Sequence, residues 1–170
     1  MQLNISLIQN DITKLEVEAI VNAANNSLLG GGGVDGAIHR AAGAELLKEC
    51  KKLGGCKTGE AKITKGYNLS AKYVIHTVGP VWRGGKYNEA ELLAQCYQNC
   101  LKLAIDNKIK SIAFPCISTG VYKFPKKEAA QIAVSEVKKY LNSRNIKNLK
   151  IIFCCFTDED YSIYKKLLME

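Results

Sequence analysis

Between Asn22 and His39 the chain gathers amides, one carboxylate and one imidazole around four consecutive glycines. The order is Asn22-Ala23-Ala24-Asn25-Asn26, then Gly30-Gly31-Gly32-Gly33-Val34-Asp35-Gly36, then His39. Such a glycine run is costly in conformational entropy. It makes sense where backbone must approach a ligand with no Cβ in the way. Successive backbone N–H groups leading into a helix start form an anion site. No Gly-Lys-Ser/Thr follows, so this is not a Walker A loop, and it is not the G-x-G-x-x-G fingerprint in its usual place after a first strand. Amides are not general bases, but their paired donors and acceptors orient hydroxyl groups; their structural use is in turns and caps. Asp35 and His39, four apart, share one helix face. The structural use of Asp35 would be a helix cap, and that of His39 a packed, hydrogen-bonded ring.

A second loop, Cys116-Ile117-Ser118-Thr119-Gly120-Val121-Tyr122, follows an apolar run ending at Pro115. Its hydroxyls and glycine suit a phosphate, and two such loops facing each other suit a diphosphate, hence a nucleotide-like ligand. His76 lies inside Val74-Ile75-His76-Thr77-Val78 and reads as structural. The seven cysteines, Cys50, Cys56, Cys96, Cys100, Cys116, Cys154 and Cys155, include no C-x-x-C pair, and neither histidine stands near a cysteine cluster. Zinc-ribbon and dithiol readings fail on spacing, no metal is expected, and cysteine serves as small apolar filler in a reducing compartment.

These loops need a scaffold. The 170 residues, 47% hydrophobic and 24% charged with 3 Pro, describe an ordinary folded chain, read as one domain over 1–170. No apolar stretch approaches the ~18 residues of a membrane span. The start, Met1-Gln2-Leu3-Asn4, lacks a secretory signal pattern, so a cytoplasmic location is expected. The net charge of +8 comes from scattered lysines with no block of like charge, as on solvated helix faces. Hydrophobic period predicts strands at 3–8, 17–22, 61–67, 72–78, 111–115 and 149–156. Helices are predicted over 35–53, from an Asn88/Glu91 capping box to about 107, from Pro125 onward, and over 158–168. Strands alternating with helices imply a largely parallel sheet between helical layers, with ligands at the strands' carboxyl ends.

Taken together, Asp11-Ile12-Thr13, Ala19 to Asn25, Leu28 to Gly36, Ile38 to Gly43, Thr58 to Ala61, Val74 to Pro80 and Pro115 to Val121 resemble the macrodomain family. Within it they are most similar to the MacroD-type ADP-ribosyl hydrolases, including the bacterial O-acetyl-ADP-ribose deacetylases. The resemblance runs over nearly the whole chain. It implies a three-layer α/β/α sandwich with a mixed, mostly parallel sheet and an ADP-ribose cleft at the strand ends. On that resemblance Asp11 accepts from the adenine amine with Ile12 beside it, and Phe156 packs on adenine. Gly32, Gly33 and Val34, with Ser118, Thr119, Gly120, Val121 and Tyr122, embrace the diphosphate and distal ribose. Asn25 holds a distal-ribose hydroxyl, Asp35 acts on the water at the scissile ester, and His39 supports that end of the site.

The implied substrates are acyl esters of the distal ribose, whether acetyl or a protein Asp/Glu side chain. One positioned water, one base and backbone donors suffice for an ester, so no cofactor is expected. The implied partners are ADP-ribose, its esters and mono-ADP-ribosylated proteins, met by a monomer, with neither nucleic acid nor membrane. The alternative is a non-catalytic module that binds ADP-ribose. Two positions depart from the family pattern: Asn10 before Asp11-Ile12, and Tyr122-Lys123-Phe124, which sets Lys123 near the ribose loop.

Overall fold

The structure, a computed structural model, describes residues 3–170. Six strands form one sheet: β1 (Ile5–Gln9), β2 (Ala19–Ala23), β3 (Ala61–Lys65), β4 (Tyr73–Thr77), β5 (Ser111–Phe114) and β6 (Lys150–Cys155). Their order is β1-β6-β5-β2-β4-β3, with every neighbouring pair parallel except β3–β4. Five helices cover it: α1 (Gly33–Ala42), α2 (Ala44–Leu53), α3 (Glu89–Asp106), α4 (Lys126–Ser143) and α5 (Asp158–Met169). A 3-10 turn spans Ile12–Lys14.

Strand side chains alternate between two cores, as the pleat requires. Val21, Ile75, Ile112, Phe114, Ile151 and Phe153 face α3, α4 and α5, where Tyr97, Leu101, Val137 and Tyr164 meet them. Ile20, Val74, Ala113, Ile152 and Cys154 face the layer of α1 and α2 with Ile38, Leu46 and Cys50. Both faces are covered, so β6 is buried along nearly its whole length. The expected three-layer sandwich with its mixed, mostly parallel sheet is what the chain forms.

Three local expectations are corrected. The helix predicted over 35–53 is two helices, and the first begins at Gly33. Gly43 stands between them at φ +89°, and a Cβ there would lie 2.8 Å from Asn68 Nδ2. The apolar period runs through this joint because both helices present their apolar faces to one core. Asp35 is accordingly a first-turn residue of α1, and the cap position belongs to Gly32. Asn88 does not cap α3 through its side chain. Instead Glu89 is buried and accepts backbone N–H bonds from Arg83, Gly85 and Tyr87 at 2.9, 2.9 and 2.6 Å. Pro125 stands just before α4, where its carbonyl accepts the Ala129 N–H.

Candidate active site

The carboxyl ends of the five parallel strands lie along one edge of the sheet, and the loops leaving them carry the residues of interest. The loop after β2 becomes the glycine run and enters α1. This places Asp35 in the first helical turn, buried at 4% exposure. Its Oδ1 accepts from Asn22 Nδ2 at 2.9 Å and lies 3.5 Å from His39 Nε2 one turn on. Asp35 and His39 thus meet on one helix face, as a spacing of four requires.

Oδ2 faces the glycine loop. A Cβ at Gly31 would stand 3.1 Å from Asp35 Oδ2 and 3.3 Å from Asn25 Nδ2, so Gly31 passes between the two side chains. Asn25 is engaged locally: its Nδ2 donates to the Gly30 carbonyl at 2.9 Å, and its Oδ1 accepts from Ser27 Oγ at 2.7 Å. These bonds fix the amide plane beside the loop. Gly32 and Gly33 are exposed at the mouth of α1, with open space where a side chain would project, and Val34 is half-buried behind them. The first N–H groups of α1 have no carbonyl partner within the helix, and the glycines that carry the chain into it leave room for an anion.

The loop after β5 folds back toward β4. Phe124 N donates to the Ser118 carbonyl, Lys123 N to Gly120, and Trp82 N, from the loop after β4, to Tyr122. Thr119 Oγ1 donates to the Cys116 carbonyl at 3.1 Å, and the Trp82 and Phe124 rings pack at 4.7 Å. Ser118 takes a left-handed φ of +69°, with its hydroxyl buried against Gly79. Gly120 is exposed, Tyr122 half-buried, and Val121, at 90% exposure, projects from the tip. The backbone of Lys123 is also left-handed, and its side chain is exposed. Among the described residues, the buried polar atoms without a hydrogen-bond partner are Asn22 Oδ1, His39 Nε2 and Ser118 Oγ. Two of these side chains surround Asp35 and the third lies in the second loop.

The far end of the edge is built by β1 and β6, paired so that Gln9 lies opposite Cys155. Asp11 and Phe156 follow directly. Asp11 Oδ1 accepts from the Thr13 hydroxyl at 2.7 Å and its N–H at 2.9 Å. These bonds, the hydroxyl first, hold its carboxyl below the usual range. Ile12 is buried beneath it, and Phe156 stands 78% exposed. Asn10 fastens the two ends together: its N–H donates to the Cys155 carbonyl and its Oδ1 accepts from the Asp11 N–H.

A family model described as the Macro domain matches residues 21–133. The chain belongs to the macrodomain family. It is 58% identical over 167 residues to the ADP-ribose glycohydrolase MACROD2 of Xenopus laevis, covering 98% of this chain and 40% of that protein. It is 54% identical to the O-acetyl-ADP-ribose deacetylase of Salmonella newport, covering 100% of this chain and 97% of that one. The Trypanosoma brucei macrodomain solved in complex with ADP-ribose superposes with a TM-score of 0.90 at 47% identity, covering 97% of this chain and 69% of that one.

The macrodomain fold brings together residues that sequence reasoning leaves apart. Asn22 stands out in the sequence only as part of an amide-rich run, yet it is the side chain that grips Asp35. His76, which reads as structural, is buried as expected, but it bonds to Asn22 and so adjoins the site. The signal that could have found it is register: β2 and β4 are parallel, and Asn22 lies opposite His76. Gly31 is one glycine of four in the sequence, and only the packed loop singles it out. Glu89 is hidden by the resemblance of Asn88 and Glu91 to a cap.

Proposed function

We propose that this macrodomain hydrolyses acyl esters of the distal ribose of ADP-ribose, both O-acetyl-ADP-ribose and ADP-ribose joined to protein Asp or Glu side chains. The observation that carries the reading is the pair formed by Asp35 and Asn25 on either side of Gly31. One Asp35 oxygen is occupied by Asn22, which leaves Oδ2 turned toward the loop to take a proton. Water held there adds to the acyl carbonyl as Oδ2 receives its proton. The acyl–oxygen bond then breaks and the proton on Oδ2 passes to the departing ribose oxygen, so that the acid is released, the ribose regains its hydroxyl and Asp35 its carboxylate. Backbone N–H groups at the start of α1 and in the Ser118 loop stabilise the diphosphate and the developing charge. Asp11 and Phe156 take the adenine end, and His39 stands beside Asp35 on the next turn. The relatives named as an ADP-ribose glycohydrolase and an O-acetyl-ADP-ribose deacetylase support this chemistry, and the T. brucei complex supports the ligand.

All of these groups come from one chain, which is consistent with action as a monomer. Seven free cysteines, six of them buried, suit a reducing cytoplasm.

The test compares wild type with Asp35→Ala. ADP-ribose binding is measured by calorimetry, and loss of label is followed on a glutamate-ADP-ribosylated protein. Both proteins are expected to bind, with turnover falling ~10²–10⁴-fold in the variant as for loss of a general base. Binding without turnover in the wild type would make the protein an ADP-ribose binding module. Full turnover in the variant would remove Asp35 from the chemistry.

A further inference from the structure

On the face of the sheet beneath α1 and α2, a file of buried polar side chains leads away from Asp35. Asn22 Nδ2 donates to Asp35 Oδ1 at 2.9 Å and meets His76 Nδ1 at 3.2 Å. His76 Nε2 lies 2.9 Å from Thr64 Oγ1, whose hydroxyl reaches the Lys65 carbonyl at 3.1 Å. The Cys50 thiol of α2 sits 3.9 Å from the same Nε2. Asn22 and His76 are fully buried, and Thr64 nearly so.

One assignment of protons satisfies each of these contacts and leaves Asn22 Oδ1 without a partner. With the Thr64 hydroxyl proton on the Lys65 carbonyl, His76 Nε2 donates to Thr64 Oγ1 and carries the ring proton. Nδ1 is then a bare acceptor and takes one of the two Asn22 amide protons, and the other goes to Asp35. With the proton on Nδ1 instead, Asn22 would have to turn its oxygen to the ring. That would set the amide oxygen against the Asp35 carboxylate. The tautomer of His76 therefore selects which end of the Asn22 amide meets Asp35. Burial, with nearby His39 adding to it, pushes His76 down to about 3, so the ring stays neutral. Burial likewise pushes the Cys50 thiol up to about 11, so the neighbour across from the ring is uncharged.

We propose that His76 is a positioning residue for the ester hydrolysis: through the Asn22 amide it pins Asp35 Oδ1 and leaves Oδ2 aimed at the water. This inference rests on the hydrolase reading above, in which Asp35 carries the proton transfer. It assigns to a strand histidine that touches no ligand a control over the carboxylate that does.

The first measurement is nitrogen NMR of the His76 ring in the wild-type protein. The expected result is a protonated Nε2 and a bare Nδ1 that do not titrate between pH 5 and 8; a proton on Nδ1, or titration near the ordinary histidine range, overturns the proposal. Two variants follow. His76→Phe keeps a ring but removes the acceptor, whereas His76→Gln can offer an oxygen to Asn22 and an N–H to Thr64. His76→Phe is expected to lower kcat about 10–100-fold, the range found when a partner that orients a metal-binding histidine or carboxylate is removed. ADP-ribose Kd should stay within about threefold of wild type, since uniform binding is untouched. His76→Gln should recover most of the loss. An unchanged kcat in His76→Phe, a parallel loss of binding, or a Gln variant no better than Phe would each overturn the role. If His76→Phe does not fold, the ring measurement and His76→Gln against wild type still decide it. The variants are read beside Asp35→Ala: activity surviving in that protein defeats the hydrolase reading, while the ring measurement stands apart from activity.

Discussion

Replacing Gly31 with alanine tests the arrangement of the site with a single methyl group. The backbone at Gly31 is not left-handed, so alanine fits the chain itself. Its Cβ would arrive 3.1 Å from Asp35 Oδ2 and 3.3 Å from Asn25 Nδ2, where ordinary contact begins at 3.4 Å. Asp35 must retreat by about 0.3 Å and Asn25 by about 0.1 Å, and neither is free to do so. Asn22 holds the other Asp35 oxygen, and Gly30 and Ser27 hold the Asn25 amide. Misplacement of 1 Å at a reacting group can cost ~10²-fold, so displacements of about 0.3 and 0.1 Å should together lower kcat about 3–10-fold. Stability should hardly move. A Gly→Ala change at a compatible position gains ~0.4–1 kcal/mol from the unfolded chain, which the tight contact offsets. At ~2–4 °C per kcal/mol for a chain of this size, Tm should stay within about 3 °C of wild type. The assay is turnover of a glutamate-ADP-ribosylated protein, with ADP-ribose affinity and a thermal scan on the same samples. A variant of unchanged Tm and kcat within about twofold of wild type would refute the claim that the spacing across Gly31 matters.

Other changes report on other parts of the molecule. Burial alone would raise the Glu89 pKa, but the backbone N–H groups of Arg83, Gly85 and Tyr87 and its own hold it at about 2, against an ordinary 4.5. Its stabilisation is therefore present above about pH 4.5 and lost as pH falls toward 2. Glu89→Gln should show a lower Tm than wild type at pH 7, with the two values converging in acid; parallel Tm–pH curves would contradict this. Phe156→Ala should weaken ADP-ribose binding by roughly 5–150-fold, the worth of one base–aromatic stack at ~1–3 kcal/mol, with little loss of stability because the ring is exposed. Gly43→Ala forces a side chain into a left-handed position against Asn68 and should cost ~1–3 kcal/mol in chemical denaturation.

Much of this arrangement is legible in the residues. The period-2 and period-3.6 patterns mark the six strands and the helical layers that cover them, because each element buries one defined face. Glycines between a strand end and a helix start mark the anion loop by residue type alone. Patterns fail where the physics is not local. Gly43 splits a helix whose apolar stripe continues unbroken across the joint. Asn88 and Glu91 have the spacing of a cap, but tertiary bonds to Glu89 decide that turn. The Asn22–His76–Thr64 file joins three strands, and its partners become visible only once β2, β4 and β3 are placed side by side. Periodicity and spacing alone carry no trace of which oxygen of Asp35 is occupied.

The position of β1 also has a consequence for the order in which the molecule becomes complete. β1 is an edge strand whose one sheet neighbour is β6, so the segment bearing Asp11 has no seat until the last strand is made. The half of the cleft built from residues 22–39 stands on β2, whose sheet neighbours β4 and β5 precede β6 in the chain. During synthesis the strands that flank the reactive end therefore emerge before the strand that seats the adenine end. A ligand reaching from Asp35 to Phe156 would span both, fastening the latest contacts to the earliest. Binding of that kind draws the whole chain toward its finished state by mass action, about 2.7 kcal/mol at a hundredfold excess over Kd. A nucleotide gripped at both ends would thus act as a brace across the sheet as well as a substrate.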